Sequence, residues 1–145
     1  MAKIYSDIFD RHQNIMVMGL AYKGGLKVHI LSPGRGICQE LTSRGKNVFL
    51  DDPMYTSKEV KEIVNDDVSH VDFRESLSGK NLIIITADHS EYRVPYREIE
   101  GKIDKGTVVL DVYNMWGPHK QKLEKEGVKH VLLGERDWKN SIMGV

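Results

Sequence analysis

Apolar residues along this chain come in short continuous runs rather than in strict alternation. Ile15, Met16, Val17 and Met18 form the first run, stopped by Gly19. A run without a polar face is the pattern of a strand buried on both sides of a parallel sheet. Ser32 followed by Pro33 then predicts a helix start, the hydroxyl as N-cap and the proline at the first helical position. Ile37, Cys38 and Leu41 mark its apolar face and Gly45 its end. Residues 47–50 form a second short strand closed by Asp51, Asp52 and Pro53, and Ser57 caps a helix that buries Val60, Ile63 and Val64.

The alternation continues to the end of the chain. Residues 70–73 predict a short edge strand, 81–86 a central strand, 96–103 a helical return and 107–110 another central strand. Gly117 and Pro118 open a further helix ending near Gly127, and residues 128–133 form a last strand. Strands separated by helices require right-handed crossovers, so the expected fold is a doubly wound α/β domain. Its mostly parallel sheet has about six strands, with helices on both faces. No internal repeat or proline-rich linker divides the chain, so residues 14–145 are expected to form one domain. Residues 1–13 stand apart as a helical segment whose apolar stripe of Ile4, Tyr5, Ile8 and Phe9 either packs on its own domain or serves association.

Composition narrows the function classes. The 145 residues suit a single core. Lysine and arginine total 21, matched by 21 aspartate and glutamate, so neither nucleic acid nor a membrane surface is indicated as partner. Cys38 is the only cysteine, which excludes an internal disulfide and suits a reducing, cytoplasmic setting. No apolar run approaches the roughly 20 residues that span a bilayer, and no membrane is expected.

Ligands of open parallel sheets bind beyond the carboxyl ends of the strands. That directs attention to Gly19–Gly25, to Thr86, Ala87, Asp88 and His89, and to Asp111, Val112, Tyr113 and Asn114. The first loop is glycine-rich but does not spell G-x-G-x-x-G, and it is too long for the tight dinucleotide turn, so a self-sufficient NAD site is not expected. Lys23 either brings an ammonium to a phosphate or is a solvated loop lysine, and the amides at the Ser32 helix start could face an anion. Asp88 and His89 could form an acid–base pair, but neighbours on a loop usually point apart, and turn-forming roles are preferred. Asp51 and Asp52 are read as a strand-end turn in preference to a ribose site, and Cys38 as a core residue. The six histidines show no metal-ligand spacing, so no metal is expected.

Gly19-Leu20-Ala21-Tyr22-Lys23, then Ser32-Pro33, Asp52-Pro53, Thr86-Ala87-Asp88-His89 with Tyr92, and Asp111 with Asn114 follow one another in an order and spacing that carry a likeness. Together they resemble the C-terminal domain of the UDP-glucose and GDP-mannose dehydrogenase family. The resemblance runs from about Asn14 to Trp116. It implies a Rossmann-like fold and a part of an enzyme whose N-terminal domain binds NAD, whose helical middle dimerises, and whose C-terminal domain closes over the UDP of a nucleotide sugar. The family oxidises the sugar C6 alcohol twice through a catalytic cysteine in its N-terminal half. Nothing matching that half occurs here, so the chain alone is expected to bind no cofactor, carry no catalytic residue and show no turnover, with NAD belonging to the complete enzyme.

By the same resemblance, Tyr22, Lys23, Ser32, Tyr113 and Asn114 are the expected UDP-sugar contacts. Expected partners are the ligand, an N-terminal NAD-binding portion or subunit, and a second copy in a homodimer. Three positions depart from the family: Ile30 and Leu31 stand where it has an arginine and an acid, and Tyr113 where it has an arginine. These changes leave open a stand-alone nucleotide-binding or regulatory module derived from the same fold.

Overall fold

A computed structural model describes residues 13–21, 23–30 and 32–132. Six strands, β1 (Asn14–Met18), β2 (Asn47–Asp51), β3 (Ser69–His70), β4 (Leu82–Ile85), β5 (Val108–Asp111) and β6 (Lys129–Leu132), form one sheet in the order β3-β2-β1-β4-β5-β6. Every pairing is parallel; Val17, for example, lies between Leu50 and Ile84. Strand order reverses between β1 and β4, which opens the crevice expected of a Rossmann-like sheet beyond their carboxyl ends.

The continuous apolar runs are explained by two cores. Ile15 and Val17 of β1, with Leu82 and Ile84 of β4, face one layer together with Ile37, Cys38 and Leu41. Met16 and Met18, with Ile83 and Ile85, face the other layer, against Phe73, Tyr92 and Trp116. Each fully buried aliphatic side chain contributes about 1.5–3 kcal/mol, so neither face of these strands tolerates a polar residue. Cys38 is fully buried in the first layer, as the apolar pattern indicated.

Helix α1 (Pro33–Ser43) begins as expected: Ser32 Oγ accepts from Arg35 N at 3.3 Å with proline in the first turn. Gly45 follows it in the left-handed region at φ 76°. Helix α2 (Ser57–Ile63) is capped one residue earlier than the pattern indicated. Thr56, not Ser57, accepts from Glu59 N, while Glu59 Oε1 accepts from Thr56 N, a reciprocal capping box. The register of Glu59 decides between the two adjacent hydroxyls. Helix α3 (Lys120–Lys125) follows a 3₁₀ turn at Gly117–His119.

The helical return expected over residues 96–103 is absent. The β4–β5 connection makes only 3₁₀ turns at Ser90–Tyr92 and Tyr96–Glu98. Gly101 sits at φ 71°, which interrupts any helix before a second turn forms. The edge strand is also shorter than expected, because a 3₁₀ turn takes Phe73–Glu75. The stripe of Ile4, Tyr5, Ile8 and Phe9, Tyr22 and the end of the chain lie outside the described residues. Among the described residues no helix is long and apolar enough to cross a membrane.

Candidate functional site

The loop leaving β1 is held by residues distant in sequence. Gly19 lies at φ 130°, and a Cβ there would come within 2.6 Å of the Ala87 Cβ. A Cβ on Gly34 would overlap the Gly19 carbonyl oxygen, so two glycines allow the first turn of α1 to close on the end of β1. Leu20 N and Ala21 N both donate to Asp52 Oδ2 at 2.8 Å. Successive amides converging on one oxygen form an anion-binding concavity of the kind that holds phosphate in dinucleotide folds. Here the carboxylate of β2's closing turn fills it, and a phosphate would have to displace that carboxylate.

The loop after β4 completes the fastening. Thr86 Oγ1 donates to the Gly19 carbonyl at 2.8 Å, Gly24 N donates to Asp88 Oδ1 at 2.7 Å, and Gly25 N donates to His89 Nδ1 at 3.1 Å. The other ring nitrogen, His89 Nε2, bonds Asp52 Oδ2 at 2.9 Å. Because Nδ1 accepts, the hydrogen bonds assign a neutral imidazole carrying its proton on Nε2. Burial would raise the Asp52 carboxyl, but the bonds from His89, Ala21 and Met54 outweigh it and hold its pKa below the ordinary range. Burial likewise pushes His89 down, yet its hydrogen bond and charge contact with Asp52 outweigh it and leave its pKa above the ordinary value. The two directions describe one coupled pair, in which protonating His89 costs the Gly25 bond.

The remaining motif residues are also scaffold. Tyr92 donates to the Asp51 carbonyl at 3.1 Å and packs its ring edge-on against His89 and Phe73. Asp111 accepts from Met115 N at 2.8 Å, Trp116 N at 2.7 Å and His130 Nε2 at 2.8 Å. Thr86, His89, Tyr92 and Asp111 therefore shape the crevice as buried, hydrogen-bonded groups, and Asp88 holds Gly24 through Oδ1. The preference for turn-forming roles at Asp88 and His89 agrees with this geometry. Asp52 as the orienting partner of His89 was not legible, since 37 residues separate them.

Of the expected ligand contacts, Lys23 is exposed at the tip of the first loop, between Ala21, tied to Asp52, and Gly24, tied to Asp88. Ser32 is buried, its oxygen engaged in capping α1. Tyr113 and Asn114 are exposed just beyond β5, next along the sheet from β4, with Asn114 at φ 56°. Tyr22 lies outside the described residues. The topology thus sets Lys23, Tyr113 and Asn114 on loops at the same sheet edge, with Ser32 at the adjoining helix start. Beside them Leu26, Val28 and Ile30 are 53%, 46% and 68% exposed, an apolar strap.

A family model described as the UDP binding domain of the UDP-glucose/GDP-mannose dehydrogenase family matches residues 16–118. The chain belongs to this family. The match spans all three loops built above. The UDP-glucose 6-dehydrogenase of Rickettsia bellii (strain RML369-C) is 26% identical over 126 residues, covering 86% of this chain and 28% of that protein. Among solved structures, a UDP-glucose dehydrogenase from the hyperthermophilic archaeon Pyrobaculum islandicum aligns with a TM-score of 0.59 at 24% identity, over 76% of this chain and 25% of that one. A UDP-D-ManNAc dehydrogenase from Pyrococcus horikoshii aligns with a TM-score of 0.56 at 23% identity, over 79% and 26%. These structural likenesses show the shared fold. The chain spans about a quarter of the length of each of these relatives.

Proposed function

We propose that this domain binds the diphosphate of a UDP-sugar at the carboxyl ends of β1, β4 and β5, as the nucleotide-sugar part of an NAD-dependent 6-dehydrogenase. The observation that carries the reading is the loop after β1. Asp52, Asp88 and His89 immobilise its backbone on both sides of Lys23, whose ammonium is left in solvent at the crevice. A cation whose position is paid for in folding gives phosphate a partner with little further ordering cost. Tyr22 and Tyr113 supply aromatic surface for the base, Asn114 an amide, and Ser32 the start of α1. Residues 14–145 act as one nucleotide-sugar-binding unit, with residues 1–13 as the end of a joining helix.

The residues present do not fit NAD. The amides that would meet its pyrophosphate are held by Asp52, and Ile30 and Tyr113 stand where the resemblance implies arginines. Cys38 supplies no nucleophile, because full burial pushes its thiol pKa far up. Oxidation of the sugar therefore belongs to a separate NAD-binding portion, in a cytoplasmic assembly that includes a second copy of this domain. The exposed strap of Leu26, Val28 and Ile30 favours a second reading, a stand-alone regulatory module with the same ligand site.

Calorimetric titration tests the proposal. UDP should bind more tightly than NAD, and Lys23→Ala should weaken UDP by about ten- to a hundredfold, since a hydrogen bond to a charged group contributes roughly 1.5–3 kcal/mol. Tyr113→Arg, which restores a guanidinium fork, should tighten UDP. Absence of heat with both UDP and GDP, or UDP binding indifferent to Lys23→Ala, overturns it.

A further inference from the structure

The loop leaving β5 is fastened on both sides of its two exposed residues, Tyr113 and Asn114. Before them Val112 N donates to the Ile85 carbonyl at 3.2 Å. After them Met115 N donates to Asp111 Oδ1 at 2.8 Å and Trp116 N to Asp111 Oδ2 at 2.7 Å, and both residues are buried. A Cβ on Gly117 would overlap Asn114 Oδ1, so the Asn114 side chain lies against the 3₁₀ turn that follows.

The arrangement depends on where the Asp111 carboxylate points. An aspartate side chain turns about two torsions. Met115 and Trp116 belong to the loop that Asp111 holds, so their bonds alone would let carboxylate and loop swing together. One bond reaches the carboxylate from outside the loop. His130 Nε2 donates to Asp111 Oδ2 at 2.8 Å, and both side chains are fully buried. A carboxylate has no proton to offer, so the ring nitrogen is the donor, and burial strengthens a charge-assisted bond of this kind. The backbone of His130 is itself fixed twice. It pairs opposite Val109, which shares a face of β5 with Asp111, and its carbonyl accepts from Lys120 Nζ at 2.7 Å. His130 Nδ1 has no partner among the described residues, which leaves Asp111 as the polar anchor of the ring.

We propose that His130 is the positioning residue of the β5 loop: its bond to Asp111 fixes the carboxylate that orders Tyr113 and Asn114, and thereby sets the affinity for a UDP-sugar. This rests on the UDP reading above. The buried His130 side chain acts through Asp111 and not on the ligand, and it lies outside the stretch from Asn14 to Trp116 that carries the family likeness. A loop already ordered loses little freedom when the ligand binds, whereas a loop without its anchor has to be ordered by the ligand.

The test uses the full chain. His130→Leu keeps an apolar body in the core and removes the donor, while His130→Gln gives up the ring and keeps an N–H donor. His130→Leu should speed amide hydrogen exchange at Met115 and Trp116 by about tenfold. It should weaken UDP in calorimetric titration by about three- to tenfold, the cost of ordering one side chain, and His130→Gln should restore most of both. A residue that merely stabilises the fold lowers Tm without changing UDP affinity at a temperature where every variant is folded, so affinity there discriminates. Losses from His130→Leu and Tyr113→Ala should combine to less than their sum, because both act through one loop, whereas those from His130→Leu and Lys23→Ala should add. If His130→Leu does not fold, the wild-type ring decides, since its nitrogen signals should shift when UDP saturates the domain. Unchanged UDP affinity in His130→Leu, or an unmoved His130 ring at saturation, overturns this proposal and leaves a Lys23-dependent UDP site standing. Wild type that gives no heat with UDP removes the UDP reading, and this proposal with it.

Discussion

Replacing Asp52 by alanine removes the acceptor for Leu20 N, Ala21 N, Met54 N and His89 Nε2 at once. Leu20, Ala21 and His89 are fully buried, and a stranded buried donor costs about 1–3 kcal/mol. Water entering the gap left by the carboxylate recovers part of that sum. The expected loss is therefore the roughly 3–5 kcal/mol typical of breaking a buried charged network. For a chain of this size each kcal/mol lowers Tm by about 2–4 °C, which places the drop on the order of 10 °C. Urea denaturation followed by circular dichroism at neutral pH measures the loss, and hydrogen exchange should show it concentrated in residues 19–25. The double variant Asp52→Ala/His89→Ala should lose less than the two singles added, because each single strands the other's partner. The folded-state pKa of Asp52 is depressed, so its contribution is present above its ordinary value of 3.8 and is lost as pH falls through the folded value. The gap between wild type and variant should accordingly close in acid. A loss below about 1 kcal/mol, or strictly additive singles, would refute the view that Asp52 holds the loop.

Two glycines in the first turn of α1 should respond in opposite directions to alanine. Gly36 has open space at its Cβ position, so Gly36→Ala should stabilise by about 0.5–1 kcal/mol, whereas Gly34→Ala drives a methyl into the Gly19 carbonyl and should destabilise despite the better helix propensity, both read by thermal denaturation. Burial raises the pKa of Asp51 over the opposing bonds from Phe73 and Tyr92, so the stability linked to its protonated form is full below 3.8 and is lost as pH rises through the folded value. Asp51→Asn should then be at least as stable as wild type at neutral pH, with the difference narrowing toward about pH 4; a variant clearly less stable at pH 7 contradicts the assignment.

The parallel sheet, its two-sided burial and the helix start at Ser32-Pro33 were legible because each rests on neighbours in sequence. Four apolar residues in a row have only one environment that buries both faces, and a hydroxyl before a proline has one obvious use. Where two local signals competed, as at Thr56 and Ser57, the capping box with Glu59 decided, and it could have been read from the spacing. The missing return helix shows a limit of periodicity: Tyr96, Ile99 and Ile103 keep a helical interval, but Gly101 at φ 71° turns the backbone away and tertiary packing buries Ile99 and Ile103 without a helix. The candidate site lay further out of reach. The chain alone could bring forward Lys23 and the loops after β1, β4 and β5, yet Asp52 meets Leu20 and Ala21 only because β2 lies beside β1, and His89 only because β4 lies on β1's other side. A carboxylate filling a phosphate-type nest arises from strand order that brings together groups too far apart in sequence for any local pattern to encode.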